Sequence, residues 1–102
     1  MKSAGPLQDR VALVTGAGGE IGAAIAAVLA TMGAAVVVNH RDGTDRAAAE
    51  LTAESVRMAG AKVAVIAADI GDSVDAHRLF ETAWNGFGRL DDVPTAPPRY
   101  TR

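Results

Sequence analysis

The stretch Arg10–Met32, reading RVALVTGAGGEIGAAIAAVLATM, constrains the fold of this chain more than any other. Its apolar run Val11–Val14 has the character of a strand buried on both faces of a parallel sheet, and so of a central strand. After Thr15 come Gly16, Gly18, Gly19 and Gly22, and beyond them Ile21, Ile25, Val28, Leu29 and Met32 recur at helical spacing. A strand therefore feeds through a glycine turn directly into a helix N-terminus. There, unpaired N–H groups and the positive end of the helix dipole face whatever occupies the turn, and glycine lets backbone approach closely. This geometry suits a diphosphate, with the Thr15 hydroxyl available to tie down the turn. A tight strand-to-helix connection without ligand remains the alternative on these residues alone. A P-loop is less favoured still, because the Lys and Ser/Thr that close that motif are missing.

The remainder repeats the same unit. The first helix is expected over Ile21–Met32, ended by Gly33 where a left-handed conformation is needed, with a second buried strand over Ala34–Val38. Ile21 to Val38 holds no charged residue over 18 positions. It is not read as a membrane span, because Gly33 interrupts it and the pattern there changes from helical to β-branched. A polar turn, Asn39 to Gly43, leads to Thr44 as N-cap of a helix reaching Ala59 and closed by Gly60, its apolar face carrying Leu51, Val56 and Met58. Lys62–Ala68 reads as the third strand, with Asp69 and Ile70 at its carboxyl end. Asp72 or Ser73 is positioned to cap a third helix, in which Phe80, Ala83, Trp84 and Phe87 predict a core stripe. Three such units give an α/β fold, a βαβαβα half of a doubly wound parallel sheet with strand order 3-2-1. Residues 1–91 are expected to form this partial domain. Met1–Gln8 reads as a mobile arm, and residues 92–102, with three prolines and no periodicity, as an unstructured tail.

Composition narrows the function. A chain of 102 residues has room for one small domain. The formal net charge is −2 and the ten Lys and Arg are scattered, which argues against nucleic acid or anionic lipid as a partner. With no cysteine there are no disulfides, thiolate nucleophiles or cysteine metal sites, and His40 and His77 have no ligand partners at metal spacing. The amino end lacks the apolar core of a secretory signal, so a cytoplasmic protein is expected.

Four segments in order resemble the short-chain dehydrogenase/reductase family: Thr15-Gly16 with Ile21-Gly22, the Asn39-x-Arg41 turn, Ala68-Asp69-Ile70, and Phe87-Gly88-Arg89-Leu90-Asp91. The resemblance runs from about Leu7 to Asp91 and implies a Rossmann domain that binds a nicotinamide dinucleotide. It places Thr15, Gly16, Gly18, Gly19, Ile21 and Gly22 at the diphosphate, with Glu20 standing where the family has its middle glycine. It places Asn39, His40 and Arg41 at the adenosine ribose and Asp69 and Ile70 at the adenine. Where NAD-dependent members carry an acidic residue after the second strand, this chain has His40 and then Arg41, a guanidinium suited to a 2′-phosphate. NADP is thus the expected cofactor ahead of NAD, the alternative for Arg41 being an ordinary solvated charge and for Asp69 a turn aspartate.

The family's Asn-Asn-Ala-Gly strand end, catalytic Ser and Tyr-x-x-x-Lys pair do not occur here; Tyr100 has two residues after it, and the only lysines are Lys2 and Lys62. The expectation is the amino-terminal, NADP(H)-binding part of such an oxidoreductase, truncated or frameshifted after Asp91 and inactive alone. A non-catalytic nucleotide- or partner-binding module and a non-functional fragment are the competing readings. Without a fourth strand beside it, the first strand is expected to promote self-association.

Overall fold

The computed structural model describes residues 5–16, 19–41, 46–88 and 90. Its elements are β1 (Val11–Val14), α1 (Glu20–Thr31), β2 (Ala35–His40), α2 (Arg46–Met58), β3 (Val63–Ala67) and α3 (Ser73–Phe87). Gly18, Thr44 and the tail expected over residues 92–102 lie outside the described residues.

The three strands form one parallel sheet in the order β1-β2-β3. Val14 stands beside Val38, and His40 beside Ala67. Among the described residues β1 is an outer strand rather than a central one, yet all four of its side chains are buried. Both layers of helices account for this. On one face Val14 shares a buried cluster with Ala26 and Ala30 of α1 and with Ala49, Ala53 and Val56 of α2. On the other, Val11 and Leu13 pack with Leu79 and Ala83 of α3. The uncharged run Ile21–Val38 is divided between α1 and β2, and among the described residues no helix is long and apolar enough to cross a membrane.

The helix ends follow the expected chemistry. Gly33, Gly60 and Gly88 all take positive φ, at 101°, 91° and 82°, the conformation that glycine adopts without a Cβ penalty past a helix terminus. Asp72 caps α3, its carboxylate accepting from the N–H groups of Val74 and Asp75.

The buried faces of the helices match the expected ones only in part: Val56 and Ala83 are buried, and Ile25, Leu29 and Phe87 pack against the core. α1 turns Gly22, Ala26 and Ala30 inward and leaves Ile21 and Val28 more than half exposed. In α2, Leu51 and Met58 face solvent while Ala49, Thr52, Ala53 and Val56 are buried. In α3, Leu79 and Ala83 form the buried line, and Phe80 and Trp84 lie on its exposed flank. Small side chains bring a helix close to the sheet, and close packing rewards that approach. The larger residues then fall to the flanks.

Of the arm expected over Met1–Gln8, residues 1–4 lie outside the described residues, and residues 5–8 are better held than a loose arm. Leu7 N–H donates to the Met32 carbonyl at 2.8 Å, satisfying an acceptor at the end of α1, and Arg10 N–H closes a turn on the Leu7 carbonyl at 3.0 Å. Gly33 lies under this turn, where an added Cβ would stand 3.0 Å from the Gln8 nitrogen.

Candidate functional site

Because the strands are parallel, their carboxyl ends open onto one rim, and the register brings the exits of β1, β2 and β3 side by side. Open α/β sheets bind ligands at such a rim. Thr15, the first residue past β1, is buried. Gly16 follows in the left-handed region at φ 67°, and its carbonyl accepts from Gly19 N–H at 3.1 Å. Gly19 is the N-cap of α1 in extended backbone and accepts from Ala23 N–H at 2.9 Å. Having no side chain, Gly19 offers the first helical turn no side-chain acceptor, which leaves that turn suited to an external anion. Gly16, Gly19, Glu20 and Ile21 are exposed around it, while Gly22 is buried beneath. Glu20 occupies the first helical position with its carboxylate in solvent, a favourable place for the helix dipole.

The end of β2 is organised by Asn39. Its carboxamide nitrogen, fully inside, donates to the carbonyls of His40 at 3.3 Å, Ile66 at 3.2 Å and Ala68 at 3.2 Å. The side chain is therefore turned into the sheet, bridging the exits of β2 and β3. His40 is buried and its carbonyl accepts from Ala68 N–H at 2.9 Å. Arg41 is the first exposed residue past the strand.

At the end of β3, Asp69 is exposed and its Oδ1 accepts from Gly71 N–H at 2.9 Å, forming a tight turn that presents Ile70, 38 % exposed, at the rim. Two residues not anticipated from the sequence hold this turn from α3. Asp75 Oδ2 accepts from Asp69 N–H at 2.9 Å, and Arg78 donates to the Ala67 carbonyl at 2.8 Å and to Asp75 Oδ1 at 3.4 Å. The Asp69 N–H, with the smaller help of Arg78, holds the Asp75 carboxyl below the usual range against an opposing effect of burial. An acidic residue in a first helical turn was visible in the sequence; its partner in the turn after the preceding strand was not.

The structure thus brings Thr15, Gly16, Gly19, Ile21, Asn39, His40, Arg41, Asp69 and Ile70 to one rim. Among the described residues no cluster of His, Cys, Asp or Glu could hold a metal ion. The family model for short chain dehydrogenases matches residues 10–93. This chain belongs to that family. An uncharacterized oxidoreductase of Methylorubrum extorquens is 47 % identical over 85 residues, which are 83 % of this chain and 34 % of the relative. Among solved structures, a Burkholderia cenocepacia protein described as a dehydrogenase, with NADP bound, matches at TM-score 0.83 and 37 % identity over 87 % of this chain and 34 % of that one. Xylitol dehydrogenase with NAD⁺ bound matches at TM-score 0.80 and 31 % identity, over 86 % of this chain and 33 % of that one. The chain spans about a third of the length of the curated relative from Methylorubrum. What it shares with these proteins is the partial Rossmann α/β fold built on the three-stranded parallel sheet; the chain holds no Tyr-x-x-x-Lys pair.

Proposed function

We propose that this chain is the NADP(H)-binding part of a short chain dehydrogenase that acts on alcohol and carbonyl groups. The observation that carries the reading is the rim itself. A glycine-capped helix start after β1, an exposed Arg41 after β2 and an exposed Asp69–Ile70 turn after β3 stand side by side, and each suits a different part of one dinucleotide. Gly16, Gly19, Ile21 and Gly22, with Thr15 supporting the turn, form the diphosphate cradle, to which the resemblance also assigns Gly18, outside the described residues. Arg41, beside Asn39 and His40, faces the ribose and its 2′-phosphate, and Asp69 and Ile70 meet the adenine. The B. cenocepacia neighbour supports NADP and the xylitol dehydrogenase supports NAD; Arg41, following His40 where NAD-dependent members carry an acidic residue, favours NADP.

When bound, the nicotinamide supplies or accepts the hydride. The residues of this chain bind and orient it, but the chain holds no tyrosine–lysine pair to move the accompanying proton. Alone it is expected to reduce no carbonyl substrate; a non-catalytic nucleotide-binding module is the second reading, favoured by that same lack.

Titration of the purified chain with NADPH and NADH tests the assignment. NADPH should bind more tightly by about tenfold to a hundredfold, the contribution of one charge-assisted contact, and Arg41→Ala should abolish the difference while preserving the weaker affinity. Superimposable curves for the two nucleotides in the wild type would remove Arg41 from the site.

The reading includes a cytoplasmic location and self-association through β1, which among the described residues has no strand on its outer side. An unpaired strand edge recruits other chains. Light scattering should show a mass that rises with concentration; a strict monomer with slow amide exchange over Val11–Val14 would contradict the strand-edge interface.

A further inference from the structure

Three consecutive residues at the exit of β3 are each gripped from a different direction. The Ala67 carbonyl accepts from Arg78 at 2.8 Å. Ala68 faces β2, its N–H donating to His40 at 2.9 Å and its carbonyl accepting from Asn39 at 3.2 Å. Asp69 N–H donates to Asp75 at 2.9 Å. The turn that follows is closed internally, by Gly71 N–H on Asp69 Oδ1 at 2.9 Å and by Asp72 N–H on the Asp69 carbonyl at 3.0 Å. The direction in which Asp69 and Ile70 project is therefore set by anchors on either side of them, and the anchors on the α3 side are Asp75 and Arg78.

Those two side chains are 36 % and 52 % exposed and stand 3.4 Å apart. As a surface ion pair they contribute little to stability. What distinguishes them from the other exposed pairs, Arg46 with Glu50 and Arg57 with Glu54, is that each also takes a backbone group of the β3 exit. Their geometry is directed at the loop rather than at the helix. We propose that Asp75 and Arg78 are positioning residues for the adenine end of the cofactor, acting through the Asp69–Ile70 turn that they hold in place. The proposal rests on the cofactor reading given above.

The test combines two measurements on the 102-residue chain: titration with NADPH and NADH, and amide exchange of Asp69 without nucleotide. Asp75→Ala and Arg78→Ala should each weaken both nucleotides by the same factor, about three- to tenfold for one lost hydrogen bond. The NADPH-to-NADH ratio, which Arg41 sets, should stay constant. Asp75→Asn, which keeps an acceptor for Asp69 N–H, should restore most of the affinity. Asp69 amide exchange should accelerate in Asp75→Ala while the thermal midpoint stays near the wild-type value. Unchanged affinities, or losses that follow a fallen midpoint and are not rescued by Asp75→Asn, overturn the proposal. If the wild-type chain binds neither nucleotide, the cofactor reading fails and the adenine role with it. The exchange rate still judges the clamp: faster exchange in Asp75→Ala supports it and an unchanged rate overturns it.

Discussion

The two edges of the sheet are held in opposite ways. Along β1 every side chain is buried; along β3 four are half-buried and the last is exposed. The path of the chain explains the contrast. α1 and α2 follow their strands on one face, while α3 leaves β3, crosses to the other face and lies over Val11 and Leu13. The first strand is thereby covered on both faces although it is outermost. The third strand relies on polar anchors at its exit, from Asn39, Asp75 and Arg78. Side-chain burial and backbone pairing are thus separable, since β1 has the first in full and the second on one side only among the described residues.

Truncation separates the edges most sharply. Leu13, wholly buried, should cost about 2–5 kcal/mol when replaced by alanine, and half-buried Ile66 on β3 less than about 2 kcal/mol for the same replacement. Urea denaturation reads both, and equal losses would erase the contrast. An intermediate effect is expected from Asn39→Leu, which keeps the volume but deprives the β2 and β3 exits of their shared donor. A loss of about 1–3 kcal/mol fits a buried hydrogen-bonding group left without its partner. If the melting curve is unaffected, the polar latch has no role in stability. The smallest effect belongs to Asp75. Its folded pKa lies below the ordinary 3.8, so its contribution is present above that value and fades as pH falls through the lower folded pKa. A carboxyl titration followed by NMR should place the Asp75 midpoint below 3.8; a midpoint at or above it would show the hydrogen bond from Asp69 to be weak.

The sequence revealed the alternation of strands and helices, the order of the sheet, a cap at Asp72 or Ser73, which the structure assigns to Asp72, and two of the three glycines past the helix ends, Gly33 and Gly60. Each of these depends on local chemistry. The helix faces were less legible. In α1 almost every residue is apolar, so periodicity marks Ile21, Ile25, Val28 and Met32 as readily as Gly22, Ala26 and Ala30, and a helix apolar all round does not reveal which side meets the sheet. Closeness of approach chose the smaller residues. The same competition put Leu51, Met58, Phe80 and Trp84 outside. At the rim, the glycine turn and the exits of β2 and β3 were legible from the family pattern. The inward turn of Asn39 and the grip of Asp75 and Arg78 were not, because they join residues whose meeting depends on the finished topology.

The turn at Gly5–Arg10 has a practical consequence for handling the molecule. Its Leu7–Met32 hydrogen bond fastens it beside the start of β2, and with all strands parallel this is the end of the sheet opposite the rim. At about 3.3 Å per residue, the length of β1 separates the two by roughly 13 Å. A surface anchor, fluorophore or fusion joined ahead of Gly5 would therefore emerge on the far side from the rim, leaving that rim open to solution. The same attachment at Gly33 would meet both a left-handed backbone and the Gln8 backbone above it.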